Sequence, residues 1–549
     1  MTIERLNLAL LIASVVLLVA VAAVRLSINS GLPSLLLYLA LGLAIGERGA
    51  GIEFDKFDLT AVLGYAALVL ILAEGGLTTR WSTISDAVAP AAVLATLGIA
   101  VSVAVAGVAA HLLLHLEWPV ALLLGAMISS TDAAAIFSVL RRLPLPRRLV
   151  GVLEAESGFN DAPVVILVVE LTAVAAGHGS HSWVTLLGLA GFELAAGAVI
   201  GLAVGWLGAA ALRRVALPSP GLYPIAVIGL AVGAYAVAAV AHASGFLAVY
   251  LAGLVLGNSR LPHGATVRSA AEGLGWAAQI GLFVLLGLLA DPARLPGQVA
   301  PAVAVGLVLL LVARPLSVLV SVSWFGMNWR EQAFLAWSGL RGAVPIVLTT
   351  IPVAAQVSGS VHLFDLVFVL VVVFTLVQGP TLPRVARRLG LPEGVGAIDL
   401  DIESSPLNTL GAEVLQVKIG PTSRLHGVEI FELRLPPGAN ITLVVRDGDS
   451  FVPSPRTILR HGDDLILVTL SAVRQATEAR LHEVSVGGKL AGWWRPVTTA
   501  RRSRRAGTAA SGASPAATTA YHWHSKRWSA SSGLLRRGWS RVSGRGDGP

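Results

Sequence analysis

Apolar blocks recur along the chain from Leu6 to about Ala386, separated by short polar or basic breaks. They fall at 6–24, 32–46, 57–75, 87–110, 119–140, 150–176, 184–212, 222–243, 245–257, 272–290, 299–324, 331–355 and 364–386. Most are long enough to cross a bilayer as helices, so the pattern predicts a polytopic α-helical membrane protein with about thirteen spans. The first block is long for a signal-peptide core and has no basic segment before it, so it reads as an uncleaved span. Basic residues set the orientation. With the loop Arg141-Arg142…Arg147-Arg148 in the cytoplasm, alternation gathers Arg25, Arg80, Arg213, Arg214, Arg260, Arg268, Arg330, Arg384, Arg387 and Arg388 on that side. Only Arg5, Arg48, Lys56 and Arg294 fall on the other. The N-terminus is expected outside and everything after Arg388 in the cytoplasm.

Three spans carry clustered polar or helix-breaking residues at membrane depth. Within Gly151–Val169, Glu156, Ser157, Asn160 and Asp161 stand at i, i+1, i+4 and i+5, a spacing expected to place them on one narrow helix face. Pro163 lacks an N–H and would free the carbonyl of Phe159. Such hard oxygen groups suit a small cation, and a carboxylate can hold a proton instead. The fifth span holds Ser129-Ser130-Thr131-Asp132, which compete for backbone hydrogen bonds and can restart a helix at Ala133. The twelfth holds Gly339, Gly342 and Pro345 around Arg341. Spans seven apart run in opposite directions, and two interrupted helices so related predict inverted repeats with a midplane site. Glu74, Asp132, Glu156 and Asp161 face Arg314 and Arg341 in this count, a deficit that a cation or proton would fill. Glu170 and Glu193 read as core or interface residues, and Glu154 as interfacial. His111, His115, His178 and His181 fall at outer ends, where histidines are ordinarily solvated.

Composition narrows the class. The 549 residues are 55% hydrophobic and 13% charged, and none is cysteine, which excludes disulfides and thiolate chemistry. The net charge of +8 comes from the end of the chain: residues 490–549 hold eleven Lys/Arg and one Asp, a balance of +10. Residues 487–549 read as a basic disordered tail without periodicity, adventitious or touching anionic lipid, and there is no case for nucleic acid. Between the membrane part, residues 1–390, and the tail, the periodicity changes. After a linker at 391–409, VLQVKIG, NITLVVRDG and DDLILVTL read as strands, and SRLHGVEIFELRL and SAVRQATEARLHE as helices. This is a small cytosolic α/β domain over 410–486.

The blocks ESGFND at 156–161, SSTDAAA at 129–135, ARPL at 313–316 and GLRGAVPI at 339–346 resemble the signatures of NhaP/NHE-type monovalent cation/proton antiporters. The resemblance covers essentially all of residues 1–390. It implies a dimerisation domain and a mobile core domain in which the broken fifth and twelfth helices cross. It further implies that Asp161 alternately holds cation and proton, with Glu156, Ser157, Asp132 and the backbone of Thr131 completing the ion site. By the same resemblance, Arg341 and Glu74 pair to steady Asn160, and Arg314 partners Glu156. The Asn160-Asp161 dipeptide implies electroneutral exchange. The cytosolic module resembles the TrkA-C domain (the C-terminal domain of regulators of potassium conductance). It tilts the expected ion from Na⁺ toward K⁺ and implies a small-molecule ligand and a homodimer. The expected activity is K⁺/H⁺ antiport for pH and cation homeostasis, with Na⁺(Li⁺)/H⁺ antiport the alternative, no enzyme activity and no cofactor. A regulated potassium channel would need a TVGYG-like filter, and a membrane zinc protease HExxH; neither sequence occurs.

Overall fold

The computed structural model describes residues 3–491, apart from 31–32, 47, 50, 52–53, 55, 133–135, 137–144, 178–182, 260, 392–399, 408–411 and 471. The helix restart expected at Ala133, Arg141, Arg142, His178, His181, Arg260, most of the expected linker and nearly all of the tail lie outside these residues.

The helices are α1 (Ile3–Ser30), α2 (Ser34–Ile45), α3 (Phe57–Thr78), α4 (Val88–Leu114), α5 (Trp118–Met127), α6 (Arg147–Ala175), α7 (Trp183–Arg214) and α8 (Leu222–Val240). They continue with α9 (Gly245–Asn258), α10 (Gly264–Leu289), α11 (Leu295–Phe325), α12 (Trp329–Trp337), α13 (Ala343–Ala354) and α14 (Ser360–Arg388). Every predicted interval from 6–24 to 364–386 holds helix. Among the described residues, eight helices are long and apolar enough to cross a membrane. The apolar stretches Leu10–Arg25, Ser34–Ile45, Trp118–Met127, Gly245–Asn258 and Ala343–Ala354 are shorter. Leu94–Gly98 in α4 and Leu309–Ala313 in α11 are wound as π-helix.

The helices pack in two groups. The first comprises α1–α3 and α7–α10, with α2 and α3 against α10 and α9 against α3, α7 and α8. The second comprises α4–α6 and α11–α14, with α5 and α6 together and α11 against α4 and α14. Seams in the first group are backbone against backbone: a Cβ at Gly42 would overlap α10 near Gly287, and one at Gly76 or Gly257 would overlap the facing helix. Fewer contacts join the groups. They involve α6 against α3, α7 and α9, and α13 against α3 and α10.

The C-terminal part is a five-stranded antiparallel sheet in the order β1-β2-β5-β3-β4, comprising β1 (Leu400–Leu407), β2 (Ala412–Ile419), β3 (Ala439–Arg446), β4 (Asp449–Phe451) and β5 (Asp464–Leu470). Along β5, Leu465, Leu467 and Thr469 alternate inward. They meet Leu415 and Val417 of β2, and Leu481 and Val484 of α15 (Arg474–Gly487), in one core. Two expectations change here. β1 lies within the stretch expected to be a linker and pairs with β2 from Leu400↔Ile419 to Leu407↔Ala412. SRLHGVEIFELRL is not a helix but a series of turns with a 3₁₀ turn at Ile430–Leu433. Its backbone is committed elsewhere. Gly427 N–H donates to Leu459 O, Leu459 N–H donates to Val428 O, and Gly427 takes φ +81°, outside helix geometry.

Candidate functional site

The two interruptions meet. α5 ends at Met127 and α12 at Trp337, and α13 restarts at Ala343. The extended segments between touch where Asp132 N–H donates to Leu340 O at 2.9 Å. Gly342 is required at this crossing, because a Cβ there would overlap the Asp132 carboxylate. α6 passes beside the crossing as a continuous helix with Pro163 inside it.

The polar groups of α6 divide between two faces. At 100° per residue, positions 156 to 161 spread over roughly 140°, too wide for the single narrow face expected. Glu156 and Asn160, one turn apart, face the crossing and the arginines. Arg314 donates to both carboxylate oxygens of Glu156, Nη1 at 2.6 Å and Nη2 at 2.8 Å, a buried bidentate pair. Asn160 donates from Nδ2 to Thr131 Oγ1 at 2.7 Å and to Thr131 O at 3.2 Å. The Thr131 hydroxyl donates in turn to Glu156 Oε1 at 3.3 Å. Crossing, amide and ion pair thus form one buried network.

The second face, Glu154, Ser157, Gly158 and Asp161 at i, i+3, i+4 and i+7, lines a cleft of about 220 Å³. Thr131 and Asp132 from the crossing, Glu74 and Thr78 from α3, Tyr250 from α9, and Gln279 from α10 complete its polar lining. Asp161 is buried and accepts from Ser130 Oγ at 2.7 Å. The cleft runs from Asp161 toward the Thr79 end of α3, between the two helix groups. Glu74, Asp132, Glu154 and Asp161 line it, and no Lys or Arg does among the described residues.

Four expectations are corrected by this geometry. Glu156 does not line the cleft; its carboxylate is turned to Arg314. No ion pair joins Glu74 to Arg341 among the described residues. Glu74 lies over Gly275 of α10, where a Cβ would meet its side chain at 2.7 Å, and accepts from Thr78 Oγ1 at 3.4 Å. Arg341 lies beside Arg314 on the far side of the crossing, and both guanidiniums flank Gly339. Its Nε and Nη1 have no hydrogen-bond partner among the described residues. Asn160 is steadied by Thr131 rather than by an Arg341–Glu74 pair. Glu154, read from the sequence as interfacial, lines the cleft instead, and Tyr250 and Gln279 were not singled out at all. The stripe Glu154-Ser157-Gly158-Asp161 was the available signal for the first; nothing local marks the other two.

The transmembrane sodium/hydrogen exchanger family model matches residues 10–388. The chain belongs to that family. A TrkA-C domain model matches residues 414–482, so this exchanger carries a TrkA-C domain after its membrane part. The K(+)/H(+) antiporter NhaP of Alkalimonas amylolytica is 36% identical over 474 residues, 85% of this chain and 82% of that protein. The K(+)/H(+) antiporter NhaP2 of Shewanella oneidensis is 35% identical over 478 residues, with the same two shares. Among solved structures, the sodium proton antiporter MjNhaP1 of Methanocaldococcus jannaschii at pH 8 superposes with a TM-score of 0.60 at 22% identity. The match covers 68% of this chain and 99% of that one, and the exchanger shares its fold.

Proposed function

We propose that this exchanger moves K⁺ against H⁺ by alternating access, with Asp161 holding one cation or one proton in turn. The observation that carries the reading is the cleft: among the described residues, four carboxylates and no basic side chain converge on it where two broken segments cross. A site so lined attracts monovalent cations and gives a proton a competing place. Ser157, Asp132 and Thr131 sit beside Asp161 with oxygen atoms suited to a dehydrating cation. Arg314 neutralises Glu156, which with Asn160 and Thr131 holds the crossing in shape. Both K(+)/H(+) antiporters reported above match across membrane and TrkA-C parts alike, which supports K⁺ over Na⁺.

The finer architecture belongs to the same proposal. It comprises thirteen spans, with inverted repeats relating the fourth and fifth to the eleventh and twelfth. The paired π-helical turns of α4 and α11, beside the paired interruptions, support it. A homodimer in the inner membrane, N-terminus outside and with a ligand at the cytoplasmic TrkA-C domain, completes the picture.

Inside-out vesicles carrying a pH-sensitive dye test the activity. Addition of K⁺ dissipates an imposed proton gradient more than Na⁺ or Li⁺ does; a response to Na⁺ and Li⁺ alone overturns the ion assignment. Because Asn160 carries no charge, one carboxylate titrates at the 160–161 pair and exchange is one for one. Clamping the vesicles at different diffusion potentials then leaves the null point of flux unmoved. An uncompensated charge would shift it by about 2.3 kcal/mol per 100 mV.

A further inference from the structure

At the end of the helix groups away from the cleft, four charged residues form a ladder. Arg48, between α2 and α3, places Nε 3.4 Å from Asp291 Oδ1. Arg294, three residues after Asp291 in the connection from α10 to α11, places Nε 3.9 Å from Asp291 Oδ2 and donates to Asp365 Oδ2 at 2.9 Å. The Asp365 side chain is fully buried in α14, and its Oδ1 has no hydrogen-bond partner among the described residues. Arg48 belongs to the first helix group, Asp365 to the second, and the two middle rungs to the segment that joins them. Beneath the ladder, Phe57 of α3 and Phe364 of α14 meet edge to face at 5.6 Å, again across the boundary.

The placement is what matters. Along α3, Phe57 marks the ladder end, Gly64 comes next against Val347 of α13, and the cleft begins only at Leu68. The groups are therefore parted at one end, where the cleft lies, and tied at the other. Burial of Asp365 makes the tie stronger than a surface pair, since separation would leave a carboxylate without its cation.

We propose that Arg294 and Asp365, steadied by Asp291 and Arg48, are the lock that holds the second face shut while the cleft is open. The lock breaks when the groups rock and the site turns to that face. This rests on the alternating-access reading above, and the test separates the two.

The chain has no cysteine, so a single reporter can be introduced. Leu282 is buried in the seam between ladder and cleft, near Gly64. Leu282→Cys is treated with a membrane-impermeant maleimide in right-side-out and in inverted vesicles. With the lock intact, labelling from the ladder face is slow. Arg294→Gln and Asp365→Asn each speed it about fivefold from that face only, by raising the population open there. The swap Arg294→Asp with Asp365→Arg returns the rate toward the parent's, which separates a lock from a general loosening. Unchanged labelling in both single variants overturns the proposal, as does equal acceleration from both faces or a swap as fast as the singles. Flux in the parent protein is measured separately: its absence would sink the exchange reading, whereas the labelling pattern judges the lock alone.

Discussion

Arg314 and Arg341 lie behind α6 with Glu156, while Glu74, Asp132, Glu154 and Asp161 lie before it around the cleft. Charge is sorted by helix face, so neighbouring acids have different work. Asp161→Asn keeps the size and the Ser130 contact but cannot exchange a proton for a cation. The expected outcome is loss of cation-driven proton flux in proteoliposomes, with an unchanged elution profile on gel filtration. Glu156 is a structural acid. Arg314→Met removes the bidentate partner of this buried carboxylate, costing roughly 3–5 kcal/mol, and Glu156→Met strands Arg314 similarly. Thermal melts of the detergent-solubilised protein are expected to fall in both singles. They recover much of the loss in the double substitution, because removing both charges removes the unpaired one.

The helices were legible because burial in lipid requires long apolar runs, and those runs survive any rearrangement of the groups between them. The interruptions were legible for the opposite reason: Ser129-Ser130-Thr131-Asp132 and Gly339–Pro345 deny the helix its ladder in ways visible residue by residue. What the sequence hid was direction. Whether Glu156 or Glu154 meets the cleft depends on how α6 is rotated against the crossing, and Arg341's place beside Arg314 depends on packing from α11 and α14. The turn region of the sheet domain misled because its apolar spacing suits a helix, while Gly427 and the strand-like bonds of Val428 and Leu459 prevent one. The crossing itself makes a prediction at this scale. Gly342→Ala forces the added methyl against the Asp132 side chain, so that carboxylate must leave its place at the crossing. The apparent KM for K⁺ is expected to rise about tenfold or more while the protein still inserts and melts near the parent temperature. An unaltered KM, measured in the same dye assay, would remove Asp132 from the site.

The membrane-depth charges all precede Leu391, and the TrkA-C match begins at residue 414. Truncation after Leu391 is therefore expected to leave exchange intact and to abolish its dependence on cytoplasmic conditions, read as flux against pH and K⁺ concentration in both proteins. An inserted but silent truncation would make the sheet domain part of the transport cycle. The first helix group has a mechanical consequence of its own. Where Gly42 and Gly287, or Gly76 and α9, press backbone to backbone, no side chain remains to rearrange and take up strain. Such a seam cannot slide or turn without lifting the two backbones apart. A rearrangement that keeps these seams intact must therefore be taken up at the boundary with the second group. A methyl at Gly287 would wedge its seam open, so turnover is expected to fall before cation affinity does.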